Sequence, residues 1–167
     1  LPLAQAVGSG TAADDPDMAA ETELETRWAS VLSAVSRSPD FALSTSPPIC
    51  AALTETLRVG NPSARASAAL AVGNLAYHTP ALHGWLEDAV APLAALVADE
   101  EASHRARANA AGALGNLLRG NAGLDAAVAR AGACDAVLGL LTRPAPPLEP
   151  THRRVVVFTL GSMCARA

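Results

Sequence analysis

Apolar residues return at helical spacing through most of the chain. Leu24, Trp28, Val31, Leu32 and Val35 fall at i, i+4, i+7, i+8 and i+11, one face of a helix that Asp15-Pro16 opens and Ser38-Pro39 closes. Residues 40–45 leave room for a turn or two. Ser46 before Pro47-Pro48 begins a second helix with Ile49, Ala52, Leu53, Thr56 and Leu57 on one side, stopped at Gly60 in the left-handed conformation glycine adopts cheaply. Asn61 with Pro62 at the first position starts a long helix that ends near Tyr77-His78. Thr79-Pro80 then predicts a short helix to about Asp88. Val90, Leu93, Leu96 and Val97 mark a medium one, with Asp99-Glu100-Glu101 as a solvated turn. A long helix follows, capped by Ser103 and closed by Gly120. The order short, medium, long then returns. Leu124 to Arg130 is short and stopped by Gly132; Val137, Leu140 and Leu141 mark the medium helix. The loop from Pro144 to Pro150 precedes a last long helix capped by Thr151.

The long helices repeat one another. Arg65-Ala66-Ser67-Ala68-Ala69-Leu70-Ala71-Val72-Gly73-Asn74-Leu75-Ala76 stands 42 residues before Arg107-Ala108-Asn109-Ala110-Ala111-Gly112-Ala113-Leu114-Gly115-Asn116-Leu117-Leu118. A looser copy runs from Arg153 to Met163, its glycine 46 residues beyond Gly115. A period of about 40 to 47 residues in an all-helical chain is the signature of armadillo or HEAT repeats. The expected fold is all-α, an armadillo/HEAT-like right-handed helical solenoid. Residues 1–15 read as a linker, 16–38 as an N-terminal capping helix, and 39–78, 79–120 and 121–167 as repeats. Glycine inside a helix costs about 1 kcal/mol relative to alanine. Glycines stand inside helices at 73, 112, 115 and 161, and their recurrence at one register predicts close approach of a neighbouring helix.

Composition sharpens the picture at three points. Hydrophobic residues make up 50% and aromatics 3%, an alanine-rich interior that suits close-packed helices better than a sheet. Charged residues are 17%, below the quarter or so that is usual, which points to faces buried against other protein. All 12 cations are arginine, and the net charge is −4. Without lysine there is no P-loop, no protein kinase core and no Schiff-base chemistry in these residues. An acidic balance argues against nucleic acid and anionic membrane as partners and offers no basic patch. No run is long enough to span a bilayer, and no signal-peptide pattern is present. The chain opens without an initiator Met and stops at an apolar helix, which predicts a segment of a longer protein.

The long-helix pattern, over residues 47 to 165, is similar to the third helix of armadillo repeats. Residues 65 to 118 resemble more narrowly the C-terminal armadillo region of Fused-family serine/threonine kinases. The stretches that carry this are Arg65-Ala66-Ser67, Val72-Gly73-Asn74-Leu75-Ala76-Tyr77, Ala89-Val90, Asp99, Arg107-Ala108-Asn109 and Ala113-Leu114-Gly115-Asn116-Leu117. That resemblance implies a parent with a kinase domain outside these residues. It further implies a non-catalytic scaffold in assembly of the ciliary central pair or other microtubule-based structures, in the cytoplasm or cytoskeleton. Kinesin-like or axonemal central-pair proteins would be its partners. A peptide or cargo carrier, or a regulatory module of an attached enzyme, is the alternative. Armadillo carriers of nuclear-import signals pair each groove asparagine with a tryptophan one turn earlier. Here Leu70, Gly112 and Phe158 precede Asn74, Asn116 and Ser162.

Few side chains invite chemistry. His78, His83, His104 and His152 lack metal-ligand spacing and read as surface or helix-terminal residues. Cys50, Cys134 and Cys164 read as buried free thiols. No nucleophile elbow surrounds any serine, no cofactor is called for, and the run Val155–Phe158 reads as core. The candidates are Asn74 and Asn116, which recur where armadillo stacks have their inner surface. Each amide can hold the backbone of an extended peptide, or can satisfy a carbonyl of the adjacent repeat. Arg65, Arg107 and Arg153 would favour acidic partner residues beside them.

Overall fold

The computed structural model describes residues 16–44, 47–119, 121–142 and 147–165. They fold as α1 (Pro16–Val35), α2 (Pro39–Ser44), α3 (Pro47–Val59), α4 (Pro62–His78), α5 (Val90–Ala98), α6 (His104–Leu118), α7 (Asp125–Arg130), α8 (Ala133–Thr142) and α9 (Pro150–Cys164). Single 3₁₀ turns stand at Pro80–Leu82, Glu87–Ala89 and Ala122–Leu124. No strand occurs among the described residues. The expected helix signals at Asp15, Ser46 and Gly120 and the expected linker over residues 1–15 lie outside the described residues, as do positions 144–146 of the Pro144–Pro150 loop.

Two layers result. The long helices stand in one row, α1 against α4, α4 against α6 and α6 against α9. The medium helices α3, α5 and α8 form the second layer, each packed on the long helix that follows it. Leu53, Leu57, Leu75, Leu86, Leu93, Leu96, Leu114 and Leu117 are fully buried between the layers, each contributing about 1.5–3 kcal/mol. Within the row the helices meet through alanine and glycine. A Cβ on Gly73 would lie 3.3 Å from Ala113 Cα, one on Gly112 3.0 Å from Val155 Cγ1, and one on Gly115 3.3 Å from Thr159 Cα. Close approach thus explains the glycines at 73 and 115. At Gly161 a Cβ would meet nothing within 4 Å, so the same register stands open there.

Side-chain amides and one hydroxyl tie each long helix to the one before it. Asn74 Nδ2 donates to the Ser33 carbonyl (3.3 Å) and Ser36 Oγ (3.2 Å). Asn109 Nδ2 donates to Ala66 O (3.2 Å), Asn116 Nδ2 to Gly73 O (2.9 Å) and Thr159 Oγ1 to Ala111 O (2.8 Å).

Helix starts follow local chemistry, with exceptions. Asn61 Oδ1 accepts from Ser63 N and Ala64 N, both at 3.0 Å, and Ser103 Oγ accepts from Ala106 N at 3.2 Å. Thr79 makes no side-chain cap, and the short helix after it is two 3₁₀ turns. Glu149, not Thr151, is the N-cap residue of α9. Gly132 has φ +62°, whereas Gly60 does not take a positive φ. Glycine is needed at position 60 because a Cβ would run into the Thr56 carbonyl and the Glu25 carboxylate.

Of the expected apolar face of α1, Leu32 packs against the core and the rest is largely uncovered. Leu24 and Val31 are 69% and 60% exposed, and Trp28 and Val35 stand open as well. The physical reason is register. Ser33 accepts from Asn74 as Gly73 accepts from Asn116, so Val31 and Val35 match Ala71 and Leu75 in α4, or Ala113 and Leu117 in α6. Those are buried. The neighbours that bury them in α4 and α6 have no counterpart over α1 among the described residues.

Candidate functional site

Three long helices frame a groove of about 570 Å³, lined by Tyr77, Gly112, Asn116, Thr151, Arg154, Val155 and Phe158. Tyr77 closes α4, Gly112 and Asn116 belong to α6, and the other four to the first turns of α9. No residue of the medium helices lines it, so it opens on the side of the row away from them. Tyr77 and Phe158 are 50% and 52% exposed, and each ring keeps part of its surface open.

The groove follows from small residues at its floor. Gly112 has no side chain, so α6 recedes between Tyr77 of one neighbour and Val155 and Phe158 of the other. Asn116 stands one turn further on. Its Nδ2 is fixed by Gly73 O, while its second N–H and its Oδ1 have no protein partner among the described residues. Arg119, directly after α6, lies over the Tyr77 ring at 4.3 Å and donates from Nη2 to Tyr77 O at 3.2 Å. This cation–π pair holds the ring at the mouth of the groove. At the other edge Arg154 is exposed.

Of the sequence candidates, Asn116 alone lines the groove. Asn74 sits one repeat earlier with its Nδ2 donating to Ser33 O and Ser36 Oγ. Arg65 donates from Nε to Leu57 O (3.3 Å) and pairs with Asp99 (3.2 Å). Arg107 is 6% exposed and donates from Nε to Val97 O (2.8 Å). Both guanidinium groups therefore serve the C-terminal carbonyls of α3 and α5, where a cation is favoured by the helix dipole. Neither Arg65 nor Arg107 lines the groove. Arg153 is exposed on α9. Asp99, expected as a solvated turn, is half-buried through Arg65 and also accepts from Glu101 N.

Other side chains depart from expectation. Val155, Val157 and Phe158 are exposed and only Val156 of that run is buried; Val155 and Phe158 face the groove beside α6 rather than the core. His83 is buried, its Nε2 2.9 Å from Ala76 O. Among the thiols Cys50 alone is buried; Cys134 and Cys164 are exposed, the one in the first turn of α8 and the other at the end of α9. Burial pushes the Cys50 thiol up. Cys134 is raised as well, by partial burial first, then by Asp135 and Cys164. No group of three or more potential metal ligands occurs among the described residues, and none of their helices is long and apolar enough to cross a membrane.

The fold has known counterparts. A designed armadillo repeat protein, YIII(Dq)4CqI, superposes with a TM-score of 0.56 at 23% identity, over 66% of this chain and 45% of its own. The chain thus spans less than half of that structure's length. No family profile and no curated protein sequence matches the chain. The likeness establishes an all-α helical solenoid with armadillo-like repeats.

Proposed function

We propose that this chain is a non-catalytic scaffold that holds an extended segment of another protein in the groove between Tyr77 and Phe158. The observation that carries this is the joining of a positioned but half-free amide, Asn116, to two exposed rings on neighbouring long helices. An extended strand needs a donor–acceptor pair for its backbone and apolar contacts for alternate side chains. Asn116 supplies the first, and Tyr77, Val155 and Phe158 supply the second.

Peptides selected from a random displayed library against the intact protein test the reading. Phe158→Ala and Asn116→Ala should each weaken the selected peptides about tenfold or more, since each removes roughly 1–3 kcal/mol. Leu138→Ala, at an exposed site on the second layer, should not. Peptides that lose affinity only with Leu138→Ala would place the binding surface elsewhere.

The residues shared with the Fused-family pattern between 65 and 118 support a finer reading: a scaffold in assembly of the ciliary central pair or related microtubule structures. Kinesin-like or axonemal proteins would be its partners, and an attached kinase domain is part of that reading. The full protein should then co-fractionate with axonemes; recovery from nuclei alone would remove this assignment and leave the groove untouched.

A further inference from the structure

Three of the four long helices, α4, α6 and α9, differ from the rest of the chain in charge. The chain is acidic overall, with 16 acidic residues and a net charge of −4. Yet α4, α6 and α9 contain no aspartate or glutamate at all, and they carry Arg65, Arg105, Arg107, Arg153 and Arg154. Two of these arginines serve neighbouring carbonyls, as described. Arg105, Arg153 and Arg154 are exposed, and Arg119 follows α6 directly. No acid lines the groove; the nearest in sequence, Glu149, precedes α9. Among the described residues the acids stand in α1, in the short helices, in the second layer and in the connections. The absence of a basic patch expected from net charge is therefore not what the fold presents.

We infer, resting on the groove reading above, that the groove selects an acidic partner segment, one that alternates aspartate or glutamate with apolar side chains. Its carboxylates would meet Arg154 at one edge and Arg119 at the other, and its apolar side chains would lie on Tyr77, Val155 and Phe158. Charge complementarity is the argument for acid. A carboxylate beside either arginine gains charge-assisted hydrogen bonds, and no fixed anion in the lining opposes it. The first turn of α9 adds the positive end of its helix dipole beside Thr151, with no side-chain cap from Glu149 to compete. An amide and two rings suit a peptide backbone with apolar side chains better than a nucleotide chain, which would call for a longer cationic track.

The experiment uses the whole protein and three fluorescein-labelled peptides of equal length, alternating Glu-Leu, Gln-Leu and Lys-Leu, read by anisotropy. A single-stranded oligothymidylate is the fourth probe. The Glu-Leu peptide should bind roughly tenfold or more tighter than Gln-Leu. That advantage should shrink when salt is raised from about 0.05 to 0.5 M. Arg154→Gln should remove most of it, Arg154→Glu should turn preference to Lys-Leu, and Arg58→Gln, on α3, should change nothing. Equal binding of all three peptides, still lost with Phe158→Ala, would overturn the acidic preference and keep the groove. Binding of no peptide would overturn both. Tighter binding of the oligonucleotide than of Glu-Leu would overturn the choice of a protein partner.

Discussion

Alanine placed at equivalent glycines separates stacking from helix propensity. Gly73, Gly115 and Gly161 hold one register of the long helices, and each forfeits about 1 kcal/mol relative to alanine. At Gly161 a Cβ meets nothing within 4 Å, so Gly161→Ala keeps that whole difference. Its Tm should rise by roughly 2–4 °C. At Gly115 the same atom arrives 2.7 Å from Thr159 Oγ1 and 3.3 Å from Thr159 Cα. Rotating the hydroxyl aside does not free the site. Oγ1 is buried and bonded to Ala111 O at 2.8 Å, and the α-carbon belongs to the backbone, which no rotamer moves. Helix α9 must move outward, at an overpacking cost of about 1–3 kcal/mol against the gain of about 1. Gly115→Ala should therefore lie between neutral and about 2 kcal/mol destabilised. Gly73→Ala, with 3.3 Å to Ala113 Cα, should fall between the other two. Thermal and urea unfolding followed by far-ultraviolet circular dichroism ranks all three. Loosened docking of α9 should also lower the urea slope of Gly115→Ala, as less surface remains to expose. If Gly115→Ala proves as stable as Gly161→Ala, close approach is not what keeps glycine in this register.

Three further outcomes follow from the same packing. Asn61→Ala removes the cap of α4 and the link from Nδ2 to Glu25 Oε2 at 2.8 Å; urea titration should show a loss of about 1–2 kcal/mol. Arg107→Met keeps the buried stem but leaves the Val97 carbonyl without its guanidinium donor, so stability should fall by about 1–3 kcal/mol while Arg105→Met, at an exposed site, changes it little. Under native conditions a disulfide reagent should modify two thiols, Cys134 and Cys164, and reach Cys50 only in denaturant. Because the Cys134 pKa is raised and only thiolate reacts, its rate should be low at neutral pH and still be climbing above the ordinary thiol value.

Much of the architecture was legible because it rests on short-range rules. Proline after a capping residue opens α4, Ser103 opens α6, and the 42-residue return of arginine and Gly-Asn-Leu reports the stacked long helices. What sequence could not separate was covered from uncovered apolar surface. The pattern Leu24-Trp28-Val31-Val35 is a true core register, yet burial depends on whether neighbours stand over it, which no local pattern encodes. The same holds for Val155 and Phe158, core by composition and groove wall by position. Arg65 and Arg107 stand away from the groove for a related reason. Recurrence marks a shared role without saying which, and here it is service to helix C-terminal carbonyls. Of the groove, Asn116 and the offset of Phe158 were visible. Tyr77 joins Thr151 and Arg154 only through the row, since it stands more than 70 residues before them in the chain.

The two roles first open for the asparagines are compatible in one side chain. A primary amide has two N–H donors and an oxygen with two lone pairs. The bond from Asn116 to Gly73 O uses a single donor, and Asn74, with two acceptors on Nδ2, is the more fully committed of the pair. The structural bond at Asn116 also prepares the remaining groups. An unheld asparagine on a helix surface samples several rotamers and must lose that freedom on binding. One already fixed by a neighbouring helix has lost it on folding, so ordering its side chain no longer subtracts about 0.5–1.5 kcal/mol from the affinity. Arg119 does the same for the Tyr77 ring. The groove's amide therefore differs from its equivalents in the stack: at Asn74 Nδ2 already has two acceptors, and at Ser162 the hydroxyl is bonded within its own helix to Phe158 O at 3.0 Å.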